Sequence, residues 1–141
     1  MGSRALDLGR RGFSIVPGPR AGVTGMSSVG LREIEEIEPG RVVATLLALP
    51  AVRKLNEAPA ATWAWRAEFQ STQSRLQLKM TLLEPSDGRS LWGGFELEGV
   101  VTVRDLATIA QHLQRGHRGV WIHDGDSRLY DPDDFETNVT V

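Results

Sequence analysis

Two stretches of the chain alternate between apolar and polar residues with a period of two. Over 62–70, Trp63, Trp65, Ala67 and Phe69 alternate with Ala64, Arg66, Glu68 and Gln70. Over 75–83, Leu76, Leu78, Met80 and Leu82 alternate with Arg75, Gln77, Lys79 and Thr81. Side chains on a strand point to opposite faces in turn, so each stretch reads as a strand with one apolar face. The short polar connection Ser71-Thr72-Gln73-Ser74 makes the pair an amphipathic β-hairpin. Pro85-Ser86-Asp87-Gly88 is turn chemistry, because proline presets φ and glycine tolerates positive φ. A third strand follows over 91–101, with Phe95, Leu97 and Val101 on one face and Trp92, Glu96 and Glu98 on the other. Gly93-Gly94 inside it marks a bulge or a close backbone approach.

Helical spacing appears on either side of this meander. Leu31, Ile34 and Ile37 recur every three positions beside Glu33, Glu35, Glu36 and Glu38, giving an apolar stripe and an acidic face. Pro39-Gly40 is expected to break that helix. Val42, Val43, Leu46, Leu47 and Leu49 then form a broader apolar face, with Pro50 ending or kinking the helix and Val52 and Leu55 supplying a last turn. Over 102–116, Leu106, Ile109, Ala110 and Leu113 keep helical spacing. Thr102 is placed as N-cap, Asp105 near the positive end, and Gly116 as a left-handed cap. A last hairpin over 119–130 turns through Asp124-Gly125-Asp126-Ser127. With Gly125-Asp126 central, Ile122 faces Leu129 and Trp121 faces Tyr130. Asp131-Pro132-Asp133-Asp134 reads as a capped single turn.

The expected order is therefore α-α-β-β-β-α-β-β: an α+β fold in two layers, with an antiparallel sheet of about five strands packed on helices. The five strands are a three-strand meander and a C-terminal hairpin. Residues 1–30 stand apart, with seven glycines, two prolines, four arginines and one acid and no regular period. They are expected to form a flexible N-terminal tail, with Met26 an alternative start, and residues 31–141 a single domain.

Composition narrows the function classes. With 40% hydrophobic and 24% charged residues the chain has material for a core and is not a disordered polymer. Zero cysteines exclude disulfides and thiolate chemistry. A net charge of −2 gives no general attraction to nucleic acid or to an anionic membrane, so neither is an expected partner. The apolar run 42–52 contains Pro50 and is shorter than the roughly 20 residues a membrane helix needs. Arg10-Arg11-Gly12-Phe13 matches the start of a twin-arginine signal but is followed by Ser-Ile-Val-Pro-Gly-Pro-Arg, not an apolar stretch, so a cytoplasmic location is expected. Fourteen arginines against two lysines suggest a GC-rich, bacterial origin.

No phosphate-binding loop, dinucleotide fingerprint, zinc-protease motif or nucleophile elbow is present. His112, His117 and His123 with Asp124 and Asp126 could hold a divalent cation only if they converged, which their spacing does not promise. The acids Asp124, Asp126, Asp131, Asp133, Asp134 and Glu136 lack the calcium-loop glycine and terminal glutamate and read as turn and cap carboxylates. Glu68, Glu96 and Glu98 could pair for acid–base work, but Arg66, Arg75 and Lys79 share their face and make cross-strand ion pairs the simpler account. No metal and no cofactor is expected. The resulting expectation is a small non-enzymatic protein–protein interaction module, an adaptor, inhibitor or immunity-type protein. It would bind another protein, or a second copy of itself, through the open sheet face or the acidic hairpin end. Its interface candidates are Trp92, Trp121, Arg66 and Arg128, exposed tryptophan and arginine being usual interface anchors. The alternative is a small-molecule-binding domain or enzyme with a pocket between the sheet and the 41–57 helix, using His123, Tyr130 and Glu68.

Overall fold

Three consecutive antiparallel strands form the spine of the molecule. The structure, a computed structural model, describes residues 4–9, 12–18, 36–56, 65–83, 88, 90–117, 119–125 and 128–139. The strands at its centre are Arg66–Gln70 (β4), Arg75–Leu83 (β5) and Leu91–Thr102 (β6), each antiparallel to its neighbour. Their alternation is the one expected. Ala67 and Phe69 face the core opposite Leu78 and Leu76, while Arg66, Glu68, Lys79, Glu96 and Glu98 share the other face.

The sheet extends beyond this meander on both sides. Val52–Asn56 (β3) pairs with β4 at one edge. On the far side of β6 lie two short N-terminal strands, Ala5–Asp7 (β1) and Ser14–Pro17 (β2), followed outward from β2 by Val120–His123 (β7) and Leu129–Tyr130 (β8). Among the described residues the result is an antiparallel sheet of eight strands, in the order β3-β4-β5-β6-β2-β7-β8, with β1 also on β6. Strand count and order thus depart from the expected five.

The expectation of a flexible tail fails for residues 4–9 and 12–18. Leu6 pairs with Val101, and Ile15 lies between Phe95 and Ile122, fully buried. Pairing in the middle of a sheet satisfies the backbone groups of these short segments, although neither has a period of its own. The tail residues 19–30, like the predicted helix residues 31–35, lie outside the described residues.

The helices pack on the core face. Pro39–Leu47 (α1) begins at the proline expected to end the preceding helix, because the first helical position needs no N–H donor. It stops before Pro50, and the chain then turns, with the Val52 amide bonded to the Leu49 carbonyl, into β3. The expected last helical turn at Val52 and Leu55 is therefore a strand, with Val52 opposite Phe69. Val103–Gly116 (α2) buries Leu106, Ile109, Ala110 and Leu113, as its spacing requires. Gly116 closes α2 as its last helical residue, and the C-cap is His117 in an extended conformation, not a left-handed glycine. Phe135–Asn138 (α3) follows the turn headed by Asp131, whose carboxylate accepts the Asp133 amide at 3.0 Å. Among the described residues no helix is long and apolar enough to cross a membrane.

A bulge in β6 reverses one prediction. Strict alternation puts Trp92 on the polar face, but the β5–β6 register shifts between Thr81 and Leu82, so that Thr81 faces Gly94 and Leu82 faces Trp92. One extra residue turns Trp92 to the same side as Phe95, and their rings pack at 5.5 Å. Gly94 adopts φ +117°, and a Cβ there would stand 2.4 Å from the Ile15 carbonyl oxygen, so only glycine lets β2 approach β6. Trp92 is 1% exposed. Removing so large a buried side chain leaves a cavity as well as losing its transfer energy, and Trp92→Ala is expected to lower stability by about 3–5 kcal/mol. Urea unfolding checks this; an unchanged midpoint would place Trp92 at the surface after all.

Candidate functional site

The face of the sheet opposite the helices is the surface on which the sequence candidates can be compared. Its rows follow from the register. Arg53, Glu68, Gln77 and Glu98 stand side by side across β3 to β6, and Arg66, Lys79, Glu96, Ser14, His123 and Leu129 form the next row across β4 to β8.

Ion pairs organise this face. Glu68 is buried, its side chain 6% exposed, because Arg53 and Arg75 close over it from the neighbouring strands. Arg53 Nη2 donates to Glu68 Oε1 at 3.0 Å, and Arg75 Nε lies 3.7 Å from Oε2. Lys79 Nζ lies 2.6 Å from Glu98 Oε2. The hydrogen bond from Lys79, then its charge, and more weakly the charge of Arg66, hold the Glu98 carboxyl below its ordinary pKa. The Arg75–Glu68 and Lys79–Glu98 pairs join residues that the sequence placed on one face, whereas Arg53 comes from a segment expected to be helical. They leave Glu68 and Glu98, about 10 Å apart across two strand spacings, each committed to a cation and unsuited to shared acid–base chemistry.

The candidate residues do not converge. Arg66 lies on the outer face, half-buried. Trp121 also points to the outer side, opposite Val16, but is buried with its indole over Gly18. Trp92 faces the core, so neither tryptophan is presented to a partner, correcting both as interface anchors. Arg128 is exposed, its guanidinium 5.0 Å over the Tyr130 ring. The terminal hairpin is offset by one residue from the expected register, with Ile122 opposite Tyr130 and His123 opposite Leu129. Its turn closes one residue farther out, where the Asp124 amide donates to the Arg128 carbonyl and the Asp124 carboxylate accepts the Arg128 amide. That offset puts Tyr130 in the core, edge-on to Phe135 at 5.3 Å. Of the three pocket candidates, Tyr130 thus faces the core while His123 and Glu68 face outward with four strand spacings between them, about 19 Å.

Insertion of β2 brings Ser14 between Glu96 and His123, a juxtaposition invisible while residues 1–30 are read as a tail. His123 Nδ1 accepts the Gly125 amide at 3.2 Å, which ties the ring to its own turn. The other two histidines meet at Thr45 of α1. His112 Nε2 donates to the Thr45 carbonyl at 2.6 Å, and His117 Nε2 lies 3.3 Å from Thr45 Oγ1, joining α2 to α1. Among the described residues no group of three or more His, Asp or Glu side chains is placed to hold a metal ion.

A cavity of about 470 Å³, lined by Glu36, Glu38, Arg41, Ser90 and Leu91, opens beside the start of α1 and contains none of the three pocket candidates. A second polar cluster is structural. Asp105 accepts from Ser71 Oγ at 2.8 Å and from Ser74 Oγ, while Ser74 Oγ accepts the Thr102 amide and Thr102 Oγ1 accepts the Asp105 amide. The β4–β5 turn is thereby locked to the N-terminus of α2, whose expected Thr102 cap is in place.

Comparison with known protein families, with curated proteins and with solved structures finds no match in any of the three.

The outer-face pairing has a direct test. Lys79→Met removes both the hydrogen bond and the nearest charge, and is expected to raise the Glu98 carboxyl toward its ordinary pKa. A carboxyl depressed in the folded state contributes stability above its unfolded pKa and loses it as pH falls through the folded value. The wild type should therefore lose more stability on acidification than the variant. NMR titration of the Glu98 side-chain carbon checks this; identical titrations in the two proteins contradict the pairing.

Proposed function

We propose that this chain is a protein–protein interaction module that binds through the outer face of its sheet. The observation that carries the reading is the charge-ordered outer surface over β3 to β6. Its residues are fixed on a rigid sheet by cross-strand ion pairs, with Arg53, Arg75 and Glu98 exposed. Exposed pairs of this kind contribute only about 0.2–1 kcal/mol each to stability. Their arrangement is better suited to complementary recognition, in which fixed charges set register and exclude wrong partners. Arg66, on the same face, is the sequence candidate that keeps its place in this interface. Arg128, exposed at the hairpin end, lies outside it, three strands beyond β6.

Site-specific photocrosslinking in the cells that make the protein tests the proposal. A benzophenone side chain at Gln77, in the middle of the outer face, is expected to give one discrete adduct; the same group at Thr108, exposed on α2, is expected to give none. An adduct of twice the chain's mass would identify the partner as a second copy. Adducts from Thr108 alone, or from neither position, contradict the outer face as the binding surface.

A further inference from the structure

Charge is not evenly spread over the outer face. On the β3–β5 half, Arg53, Arg66 and Arg75 surround a single carboxylate, Glu68. The side chains of Arg53 and Arg75 are 66% and 74% exposed, whereas Glu68 beneath them is 6% exposed. Arg53 uses one terminal nitrogen on Glu68 and Arg75 only its Nε, and neither has another partner among the described residues. Two largely exposed guanidiniums thus share one buried anion, Arg53 through a hydrogen bond to Oε1 and Arg75 through an ion pair with Oε2. A guanidinium is a planar fork matched to a carboxylate, and a fork already positioned loses less rotamer freedom on binding. Among the described residues the remaining acids on this face lie elsewhere. Glu98 is neutralised by Lys79, Glu96 is on β6, and Asp7, at the far end of the Gln70–Arg75–Val100 row, accepts its own loop amide from Gly9.

We infer that Arg53 and Arg75, oriented by Glu68, form a clamp for a carboxylate on an acidic protein partner. This rests on the interaction reading above and names the chemistry of the partner. A second copy docking through β3 would bring Arg53 and Lys54 toward their own counterparts, and like charges opposed across strands are unfavourable. The net charge of −2 also works against a nucleic acid at longer range.

The test is an NMR titration of the full chain with poly-L-glutamate as probe. Saturable shifts are expected at the amides of residues 53, 66 and 75. The triple variant Arg53→Ala/Glu68→Gln/Arg75→Ala leaves no lone buried charge and so should keep the wild-type spectrum elsewhere. It is expected to bind the probe about tenfold more weakly, as the loss of two charge contacts implies. Arg115→Ala, an exposed cation on α2, should bind as wild type does. No shifts, shifts confined to other surfaces, or undiminished binding by the triple variant would overturn the clamp. A single-stranded DNA oligonucleotide that shifts the same amides at lower concentration would overturn the assignment to a protein. Poly-L-lysine shifting Glu96 and Glu98 in place of these residues would overturn the acidic partner while leaving the outer-face reading standing; absence of the Gln77 crosslink would remove that reading instead.

Discussion

Strand β6 needs hydrogen-bond partners along both of its edges, and the rest of the architecture follows from how that need is met. From Leu91 to Val100 the strand pairs with β5 along one edge. A strand of that length, buried on one face, leaves a second row of backbone groups that must be paired or wetted. Two short segments near the start of the chain fill this row, β1 against Val100 to Thr102 and β2 against Phe95 and Glu96. Because β2 also pairs with β7, it bridges the meander to the C-terminal hairpin and makes one sheet of what would otherwise be two. The Val103 amide bonded to the Arg4 carbonyl, and the Arg4 guanidinium reaching carbonyls at Glu136 and Val139, fasten the same segment to α2 and α3.

Asymmetry between the two faces is the second consequence. The helices and the bulge at Gly93-Gly94 place the large apolar groups, Trp92 included, on one side. The polar side is not simply wetted. Glu68 lies in a buried position without a core role, and its two arginines compensate a charge that would be costly to leave alone. A carboxylate bound there would add an anion to a site carrying two cations for one acid, so the charge of the proposed partner would complete the local balance.

What could be read from the sequence was the part whose signals are local. The alternation through Ala67, Phe69, Leu76 and Leu78 specified two strands of the meander and which side is apolar. The Thr102 cap and the Leu106–Leu113 spacing specified α2. What escaped depended on partners distant in the chain. Ile15 is strand because β6 and β7 stand on either side of it, and nothing within residues 1–30 carries that information. Trp92 was misassigned because one bulged residue exchanges the two faces of a strand, and a glycine pair signals a bulge without saying where the register shifts. Val52 looked helical through its spacing from Leu49 and Leu55, whereas the loss of a donor at Pro50 freed the chain to join the sheet edge. The candidate site divides in the same way. Its ion pairs were visible as alternating charges, but the burial of Glu68 needed Arg53, which belonged to a segment read as helix.

Amide hydrogen exchange measured residue by residue tests the central claim most directly. If β1 and β2 complete the sheet, their amides bonded across to β6 and β7 exchange as slowly as those joining β5 to β6, at a rate set by unfolding of the whole protein. Rapid exchange throughout residues 5–7 and 14–16, with β5 and β6 still protected, would show that the N-terminal segment does not hold the sheet together.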